Sequence, residues 1–414
     1  MRTIAEIVQA DLCIGCGLCE ALTGRRVSMA LTTAGSLRPM PVDGFTDTEE
    51  GIAVSACPGV VSEARPFDAP RSDPVWGRYR SLAMAWAGDP DVRYRSSTGG
   101  VLTALACHAL ASELVSFVLH VGPDPDRPAH SSSILSESPA EVLANAGSRY
   151  GPTAPLARLA DALDRDEPFA VIAKPCDLGV IHRLSHTDPR VDRRCVLRLA
   201  MVCGGQSRFS KTAELLDRFG VTEDEVTELR YRGHGNPGPT FVRTADGATH
   251  ETTYLDMWAD EAGWDLETRC KLCPDALGAC ADIAAADVWP GGAPTGEDDG
   301  FNAMVVRSEV GASLVEDAVD AGALVVGEPL TTAHLDDVQP HQVRKKEALR
   351  DRYDGMTDAG VDPIETRGLS IDELGTRFTG DRSAERAGTA RRMRGLDALG
   401  DPVAVDGIIP STPR

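Results

Sequence analysis

The sequence predicts an α/β domain with a mixed sheet, preceded by a small cysteine-rich head. Two patterns support this prediction. From about residue 80, short apolar runs alternate with segments of helical periodicity, which is typical of α/β domains. Before residue 62, by contrast, the chain is dominated by closely spaced cysteines and glycines. We therefore predict a head at 1–62, a linker at 63–79, an α/β domain at 80–354 and a loosely ordered tail at 355–414.

The elements of the α/β domain follow from apolar periodicity. Short apolar runs predict strands at 81–87, 115–121, 169–173, 196–202 and 304–307. Longer segments with apolar residues three and four apart predict helices at 101–115, 155–163, 211–219 and 312–321. Residues 65–74 are rich in proline and charge and so predict a linker. Beyond 355 few apolar residues are available for packing, which predicts the loose tail.

Charge and composition exclude several classes of function. The chain has 414 residues and a formal net charge of −21, which argues against binding nucleic acid or anionic membranes. No apolar run approaches the ~20 residues of a membrane span, and no apolar segment follows the N-terminus. We expect a cytoplasmic protein, in which disulfides are rare. Its eleven cysteines therefore need another explanation.

The head contains a cysteine pattern typical of iron–sulfur proteins. Cys13, Cys16 and Cys19 form a C-x2-C-x2-C run, and Cys57 is followed by a proline. Bacterial-type ferredoxins hold 4Fe-4S clusters with such a triplet and a Cys-Pro. Zinc is the competing interpretation, but zinc sites usually pair two C-x2-C hooks. We therefore predict a ferredoxin-like head that holds one 4Fe-4S cluster.

A second group of cysteines lies in the α/β domain. Cys270 and Cys273 form one C-x2-C hook and need two further ligands. Cys176 and Cys203 each follow a predicted buried strand, whereas Cys280 is nearer along the chain and would close a shorter loop. If the two strands end side by side, Cys176 and Cys203 are the favoured ligands. Cys280 remains the alternative to Cys203. The remaining cysteines, Cys107 and Cys195, are predicted to be small core residues.

Two glycine-rich turns suit a phosphate-bearing ligand. Ser97-Thr98-Gly99-Gly100 precedes a predicted helix, whose free N–H groups favour an anion. Gly147-Ser148-Arg149-Tyr150 adds a hydroxyl, a guanidinium and an aromatic ring, and 231–238 forms a basic glycine-rich loop. A helix cap alone would explain the first turn. No G-x-G-x-x-G follows a strand, so the usual dinucleotide-binding motif is absent from the sequence.

The order of these motifs resembles the beta-subunit family of the coenzyme F(420) hydrogenases and dehydrogenases. The family also includes 7-hydroxymethyl chlorophyll a reductase and ferredoxin-dependent divinyl chlorophyllide reductase. The resemblance extends from Cys13 to about Arg352 and includes Pro175-Cys176-Asp177 and Asp287-Val288-Trp289. It implies a non-covalent FAD in the α/β domain and two 4Fe-4S clusters. The implied FAD contacts are Ser97, Thr98, Gly99, Gly100, Ser148, Arg149 and Tyr150. The implied ligands of the second cluster are Cys176, Cys203, Cys270 and Cys273.

Together these features predict an iron–sulfur flavoprotein oxidoreductase. Electrons from ferredoxin or another one-electron donor would enter at the Cys13 cluster, pass through the second cluster to FAD and reduce an unknown organic substrate. His182, His234 and Tyr231 are candidate proton donors. The alternative is an electron-transfer subunit of a larger complex that exchanges hydride with the deazaflavin coenzyme F(420). A structural zinc protein is a third hypothesis.

Overall fold

The computed structural model describes residues 2–41, 43–289, 294, 298–398 and 408–409. The helices are α1 Ile4–Gln9, α2 Leu18–Leu22, α3 Asp47–Ala56, α4 Pro90–Arg95, α5 Val101–Ala111, α6 Pro139–Ala144, α7 Leu159–Asp164, α8 Pro175–Leu184, α9 Arg190–Arg194, α10 Ser210–Phe219, α11 Tyr254–Trp258, α12 Thr268–Lys271, α13 Glu309–Asp320, α14 Thr332–Val338, α15 Pro340–Glu347, α16 Leu349–Asp358, α17 Ile371–Arg377 and α18 Arg382–Ala398. Short 3-10 helices span Pro155–Arg158, Glu223–Glu225 and Glu261–Trp264.

The strands form one large sheet and several small ones. They are β1 Ser28–Thr32, β2 Leu37–Met40, β3 Val61–Glu63, β4 Arg71–Asp73, β5 Gly77–Tyr79, β6 Ser81–Ala87, β7 Phe117–Pro123, β8 Ser131–Ser136, β9 Phe169–Ala173, β10 Cys195–Met201, β11 Val226–Arg230, β12 Thr240–Thr244, β13 Thr249–Thr252, β14 Ile283–Val288, β15 Phe301–Val306, β16 Leu324–Pro329, β17 Glu365–Arg367 and β18 Ile408–Ile409. The large sheet has eight strands in the order β16-β6-β15-β14-β10-β9-β7-β8.

The middle of the large sheet is parallel and its flanks are antiparallel. Strands β14, β10, β9 and β7 pair in parallel, while β15, β6 and β16 on one side and β8 on the other pair antiparallel. This confirms the predicted α/β class with a mixed sheet. The carboxyl ends of the four parallel strands meet at one edge, where α/β proteins collect their ligands.

Helices cover both faces of the sheet, so its central strands are buried on both sides. In β9, Phe169 and Val171 pack into one apolar cluster with helices α7 and α8. Ala170, between them, packs into a second cluster with Leu105 of α5 and Leu314 of α13. Burial on both faces explains why the sequence of β9 is a continuous apolar run rather than an alternating one.

The residues predicted to form a loose tail are helical and packed as far as residue 398. Ile7 of α1 shares an apolar cluster with Leu349 and Met356 of α16 and with Met393 of α18. The helices α16 and α18 approach so closely that a side-chain Cβ at Gly355 would lie 2.3 Å from the Arg386 carbonyl oxygen. The prediction was wrong here because the apolar residues are sparse but several of them, including Met356 and Met393, pack against the head. Residues 399–407 and 410–414 of the predicted tail lie outside the described residues.

The predicted linker is also integrated into the fold. Strands β4 and β5 form a hairpin within it, and Trp76 is only 1% exposed. The Trp76 indole Nε1 donates a hydrogen bond to Asp336 Oδ1 at 2.7 Å, so the segment is fixed to α14. Within the described residues no helix combines the length and apolar character that crossing a bilayer demands.

Candidate functional site

The first cysteine group converges in the head. Gly15 and Gly17 both have positive φ, which lets the loop between Cys13 and Cys19 turn tightly. Cys57 follows α3 directly and faces the triplet, since the Cys13 thiol raises the pKa of Cys57 in addition to the larger effect of burial. Burial and the neighbouring Cys16 thiol likewise raise the pKa of Cys19. We call Cys13, Cys16, Cys19 and Cys57 the head quartet.

The second group assembles from three distant segments. Cys176 begins α8 immediately after β9, and Cys203 follows β10, the neighbouring parallel strand. Cys270 lies in α12, and burial and then the Cys203 and Cys273 thiols raise the pKa of Cys270 to about 12. Burial is also the main cause that raises the pKa of Cys176, to which the nearby Cys273 contributes. We call Cys176, Cys203, Cys270 and Cys273 the sheet-edge quartet.

Cys280 lies apart from both quartets. It is 0% exposed, and its Sγ donates a hydrogen bond to the Glu63 carbonyl oxygen at 3.0 Å. Burial, followed by Asp275, raises the pKa of Cys280 to about 12, and its charged neighbours are Asp275, Arg198 and Arg65 rather than other thiols. This placement favours Cys203 over Cys280 beside the Cys270 hook. Cys195 is 4% exposed and packs in the core, whereas Cys107 is partly exposed.

The sulfurs of the two quartets are spaced more widely than the ligands of a single zinc ion. A zinc tetrahedron with Zn–S bonds of ~2.3 Å places its sulfurs about 3.8 Å apart. Across the described residues, the group of three ligand-type side chains with all ligand atoms within 4.8 Å of one another is Glu63, His182 and His186, and it includes no cysteine. No three sulfurs of either quartet therefore lie within 4.8 Å of one another. Backbone N–H groups of Gly15 and Gly59 lie 3.4 Å from the sulfurs of Cys13 and Cys57, where they would stabilise thiolates.

Buried polar side chains join the two quartets. The Arg269 side chain is fully buried, and its Nε donates to the carbonyl oxygen of Pro58, next to Cys57, at 2.7 Å. Burial lowers the pKa of Arg269, but the Cys273 thiol offsets this and holds it above its usual value. Gln206 makes a second link, because its backbone N–H lies 3.3 Å from Cys270 Sγ and its side chain donates to the Ile14 carbonyl oxygen. The quartets are therefore immediate neighbours.

A cleft of about 340 Å³ opens beside the sheet-edge quartet. This volume lies in the range of small-molecule sites. Cys203 and Lys174 line one end of the cleft. The aromatic side chains in its lining are those of Tyr150, Tyr254, Trp258, Trp264 and Trp289. The cleft combines flat apolar surfaces with polar groups at the carboxyl ends of β9, β10 and β14, where α/β folds bind their ligands.

Most residues predicted to contact a flavin line this cleft. They are Ser97, Thr98, Gly100, Ser148, Arg149 and Tyr150. The two turns touch, since Ser148 Oγ donates to Ser97 Oγ at 2.9 Å. Gly99 is not in the lining but permits the turn, because a Cβ there would lie 2.8 Å from Asn302 Oδ1 and 3.0 Å from the Ala85 carbonyl oxygen. Which of these residues contact a cofactor stays a prediction.

The guanidinium group of Arg149 is already hydrogen-bonded to other residues of the protein. Its Nη1 donates to the Leu229 carbonyl oxygen at 2.9 Å, and its Nη2 donates to the Pro128 carbonyl oxygen at 2.9 Å. Its Nε donates to Ser131 Oγ at 3.1 Å. The guanidinium thus fastens the 147–150 turn to the sheet and to β11. We infer that Arg149 shapes the cleft rather than binding a ligand phosphate.

Arg232, which the sequence analysis did not single out, is the principal cation of the cleft. Its side chain is 2% exposed, and its Nη1 donates to Asp287 Oδ2 at 2.7 Å and to Tyr150 Oη at 3.2 Å. Its Nη2 donates to Thr98 Oγ1 at 3.0 Å. Its Nε is buried with no partner among the described residues, which leaves one donor for a ligand. Its only signal in the sequence was its place in the basic glycine-rich loop.

Lys174 is the second cation of the cleft. Its Nζ lies 2.8 Å from Thr153 Oγ1 and 3.0 Å from Asp177 Oδ2. Burial lowers the pKa of Lys174, but the Asp177 carboxylate overcomes this and holds that pKa above its usual value. A charged ammonium group therefore lines the cleft together with Cys203 of the sheet-edge quartet.

The three candidate proton donors lie outside the cleft lining. His234 is exposed and contacts the Tyr94 ring, at a centroid distance of 5.5 Å. Tyr231 is 1% exposed and its hydroxyl bonds to Thr212 Oγ1 at 2.6 Å. His182 lies on α8 beside Glu63 and His186. The structure brings none of the three to the cleft, because loop and helix spacing alone did not determine which way each side chain faces.

Comparison with known proteins identifies the family. Residues 82–160 match the N-terminal part of the coenzyme F420 hydrogenase/dehydrogenase beta subunit, and residues 166–331 match the C-terminal part of the same beta subunit. The second match contains the whole sheet-edge quartet. The head quartet precedes both matches.

Individual relatives and one solved structure agree with this. The chain is 23% identical over 275 residues to the beta subunit of the coenzyme F420 hydrogenase of Methanococcus voltae, covering 64% of this chain and 88% of that one. It is 23% identical over 316 residues to a subunit of the F(420)H(2) dehydrogenase of Methanosarcina mazei, covering 74% and 82%. A chain of the F420-reducing [NiFe] hydrogenase complex from Methanosarcina barkeri shares the fold, with a TM-score of 0.53, 17% identity, and coverage of 68% of this chain and 95% of that one. The chain belongs to the coenzyme F420 hydrogenase/dehydrogenase beta-subunit family.

Proposed function

We propose that this protein is an electron-transfer subunit of an oxidoreductase that uses coenzyme F420. The relatives of the chain are by name subunits of F420 hydrogenases and of an F420H2 dehydrogenase, and a redox role is common to them. The observation that carries the proposal is the position of the sheet-edge quartet. Cys203 belongs to the quartet and also lines the cleft, so a one-electron site adjoins a site for a small organic molecule.

The two quartets would each hold a 4Fe-4S cluster. Such clusters exchange single electrons, and hydrogen bonds and burial tune their potentials. Burial raises the pKa of Cys57 in the head quartet and of Cys270 in the sheet-edge quartet to about 12, so ionising these two thiols without a metal is unfavourable and metal binding would be coupled to folding. Because Arg269 and Gln206 join the quartets directly, the two clusters would lie within one rigid unit.

The cleft would hold FAD. A flavin accepts a hydride or two single electrons, so it connects a hydride carrier with one-electron clusters. The unpartnered Nε of Arg232 and the charged ammonium of Lys174 would orient an anionic or carbonyl-rich ring system. The aromatic residues Tyr254, Trp258 and Trp289 would exclude water from it. Arg232 itself is held against Asp287 and Thr98, so it is positioned before any ligand binds.

A self-contained reductase that passes electrons to an organic substrate is the second candidate. The head quartet favours it, because it gives the chain a cluster site beyond the residues matched by the family. In the first candidate the head would connect to a partner subunit, and in the second it would receive electrons from a soluble donor. Copurification separates them: the first requires a stoichiometric partner and the second does not.

The direct test is reaction with reduced F420. The protein is purified without oxygen, loaded with FAD and mixed with reduced F420 and a viologen dye. One hydride carries two electrons, so each reduced F420 oxidised should reduce two dye molecules. Recovery of oxidised F420 absorbance with that stoichiometry supports the proposal. A flavin-loaded, iron-replete protein that leaves reduced F420 untouched contradicts it.

A matched pair of variants controls this test. Arg232→Ala removes the buried guanidinium of the cleft that pairs with Asp287, and we expect it to abolish F420 oxidation while both clusters remain. Arg218→Ala removes an exposed arginine of α10 outside the cleft and should leave the reaction unchanged. Iron analysis of both variants checks that only the cleft was altered.

A further inference from the structure

We propose that a basic pocket on the far side of the sheet-edge quartet is the docking site of an acidic one-electron carrier protein. The proposal rests on the proposed function and concerns where electrons are exchanged with the outside. We define the basic pocket by its five cations, Lys271, Arg344, Lys345, Arg352 and Arg392. In the sequence analysis the ferredoxin-like donor was assigned to the head, and the geometry points to the sheet-edge quartet instead.

The basic pocket is a concavity of about 300 Å³ that is lined by one member of the sheet-edge quartet. Cys270 and its neighbour Leu272 belong to its lining. It also shares Gly204, Trp264 and Leu266 with the cleft, so one thin wall separates the two. The sheet-edge quartet therefore has a solvent-facing concavity on one side and the cleft on the other. A carrier seated in the basic pocket would lie against Cys270 and against the wall that the pocket shares with the cleft.

The charge of the basic pocket is opposite to that of the chain. Five cations face one carboxylate, Glu385, in a protein with a formal net charge of −21. Glu385 accepts a hydrogen bond from Arg352 Nε at 2.8 Å. Arg344 and Arg392 are exposed on α15 and α18, on two walls of the pocket. A concentration of one sign of charge in a concavity attracts partners of the other sign and raises their association rate.

The head surface is electrostatically unsuited to the same partner. Residues 1–62 carry seven acidic and four basic side chains. The first turn of α3, which leads to Cys57, contains Asp47, Glu49 and Glu50. One of the four basic residues, Arg38, is buried and pairs with Glu267 and Asp11. An acidic carrier would be repelled at the head and attracted at the basic pocket.

Two walls of the basic pocket lie beyond the residues that the family models match. The family matches end at residue 331, whereas α15, α16 and α18 span 340–398. These helices are fixed in place through the packing of Leu349 and Met393 against the head. The pocket is thus a rigid addition to the part of the chain that the family matches cover, built over the outer side of its cysteine quartet.

The electron step at this surface is simple. The reduced carrier loses one electron and is oxidised, and the cluster held by the sheet-edge quartet gains one electron and is reduced. No bond forms or breaks and no proton moves. Electrostatic docking therefore has only to bring the carrier close to Cys270.

The test compares two charge-reversal pairs in the iron-replete protein. Arg344→Glu with Arg392→Glu reverses the basic pocket, and Arg193→Glu with Arg218→Glu makes the same change at two exposed arginines outside it. The probe is a small 2[4Fe-4S] ferredoxin of net negative charge, and its dissociation constant is measured by calorimetry at two ionic strengths. We expect the pocket pair to weaken binding at least about tenfold at low salt and to flatten its salt dependence, with the control pair unchanged.

Equal carrier affinity in the two variant pairs would overturn the docking proposal, and so would loss of carrier binding in the control pair alone. It would also be overturned if inorganic phosphate alone occupied the pocket and displaced the carrier, because the pocket would then be a small-anion site. Dithionite reduction, followed by electron paramagnetic resonance, separates this outcome from failure of the proposed function. Dithionite needs no docking, so clusters that it reduces equally in all variants leave the proposed function intact. Absence of any reducible cluster contradicts the proposed function itself.

Discussion

The head quartet and the sheet-edge quartet offer similar thiols but are built in opposite ways. Three head cysteines lie within seven residues, from Cys13 to Cys19, on a loop turned by two positive-φ glycines. The sheet-edge cysteines come from three segments that are brought together only when β9 and β10 pair. The head site is thus encoded locally, whereas the sheet-edge site depends on the tertiary fold. A mutation in the sheet-edge quartet should consequently disturb more of the fold than a mutation in the head quartet.

Removing one thiol from each quartet should give the largest contrast. Cys273→Ser should lose about four irons, weaken FAD binding and lower the melting temperature, because that site ties two strand ends to the α12 hook. Cys16→Ser should also lose about four irons but keep its flavin. Iron analysis, flavin release and thermal unfolding check both. A Cys16→Ser protein without flavin beside a Cys273→Ser protein that retains it would reverse our assignment of the two regions.

The next prediction concerns the contact between the head loop at Gly17 and the α/β domain. Gly17 has φ +92°, and a Cβ there would lie 2.5 Å from the backbone nitrogen of Ala157 in the α/β domain. Gly17→Ala should therefore destabilise the protein by about 2–3 kcal/mol through strain and overpacking. Gly179→Ala in α8 is the matched control, since a Cβ there meets nothing within 4 Å and alanine favours helices. Denaturant unfolding that ranks the two variants equally contradicts the close approach.

Replacing Arg269, whose side chain joins the two quartets, should have a smaller effect on stability. Arg269→Met keeps the volume but leaves the Pro58 carbonyl oxygen without its donor, at a cost of about 1–3 kcal/mol. Loss of the positive charge should also lower the reduction potentials of both clusters, since it lies next to Cys57 and Cys273. Redox titration measures this. A shift confined to one cluster would show that Arg269 does not lie between them.

The smallest effect is expected at Cys280. Cys280→Ala removes a buried thiol and its bond to the Glu63 carbonyl oxygen, which we expect to destabilise the fold by about 1 kcal/mol. Both clusters should remain, because this thiol adjoins neither quartet. Cys203→Ala, in contrast, should lose about four irons. If the Cys280→Ala protein loses them instead, the membership of the sheet-edge quartet is wrong.

Local patterns predicted the fold well where secondary structure and burial agree. The strands at 81–87 and 169–173 were predicted with their observed limits. Strand β14 was missed because Ile283-Ala-Ala-Ala is equally compatible with a buried helix. The packed helices beyond residue 355 were missed because several of their few apolar residues, such as Met356 and Met393, are buried against the head, which lies more than 300 residues away in sequence.

The candidate site, like the fold, could be predicted in part from the sequence. Cysteines at the ends of two apolar runs indicated a meeting point, because parallel strands end at a common edge. The direction of single side chains was not predictable: Tyr231 and Arg232 are adjacent, yet only Arg232 lines the cleft. Both residues follow β11 at a bend beyond its last residue paired with β12, so no strand periodicity indicates which of the two side chains faces the cleft.

The central claim is that both quartets hold iron–sulfur clusters beside a flavin, and the most direct measurement is the cofactor content of the protein purified without oxygen. Iron, acid-labile sulfide, zinc and heat-released flavin are quantified on one sample against protein concentration. The account predicts about eight irons with matching sulfide, and one FAD per chain. Zinc in place of iron, or iron-replete protein that binds no flavin even when FAD is supplied, would contradict it.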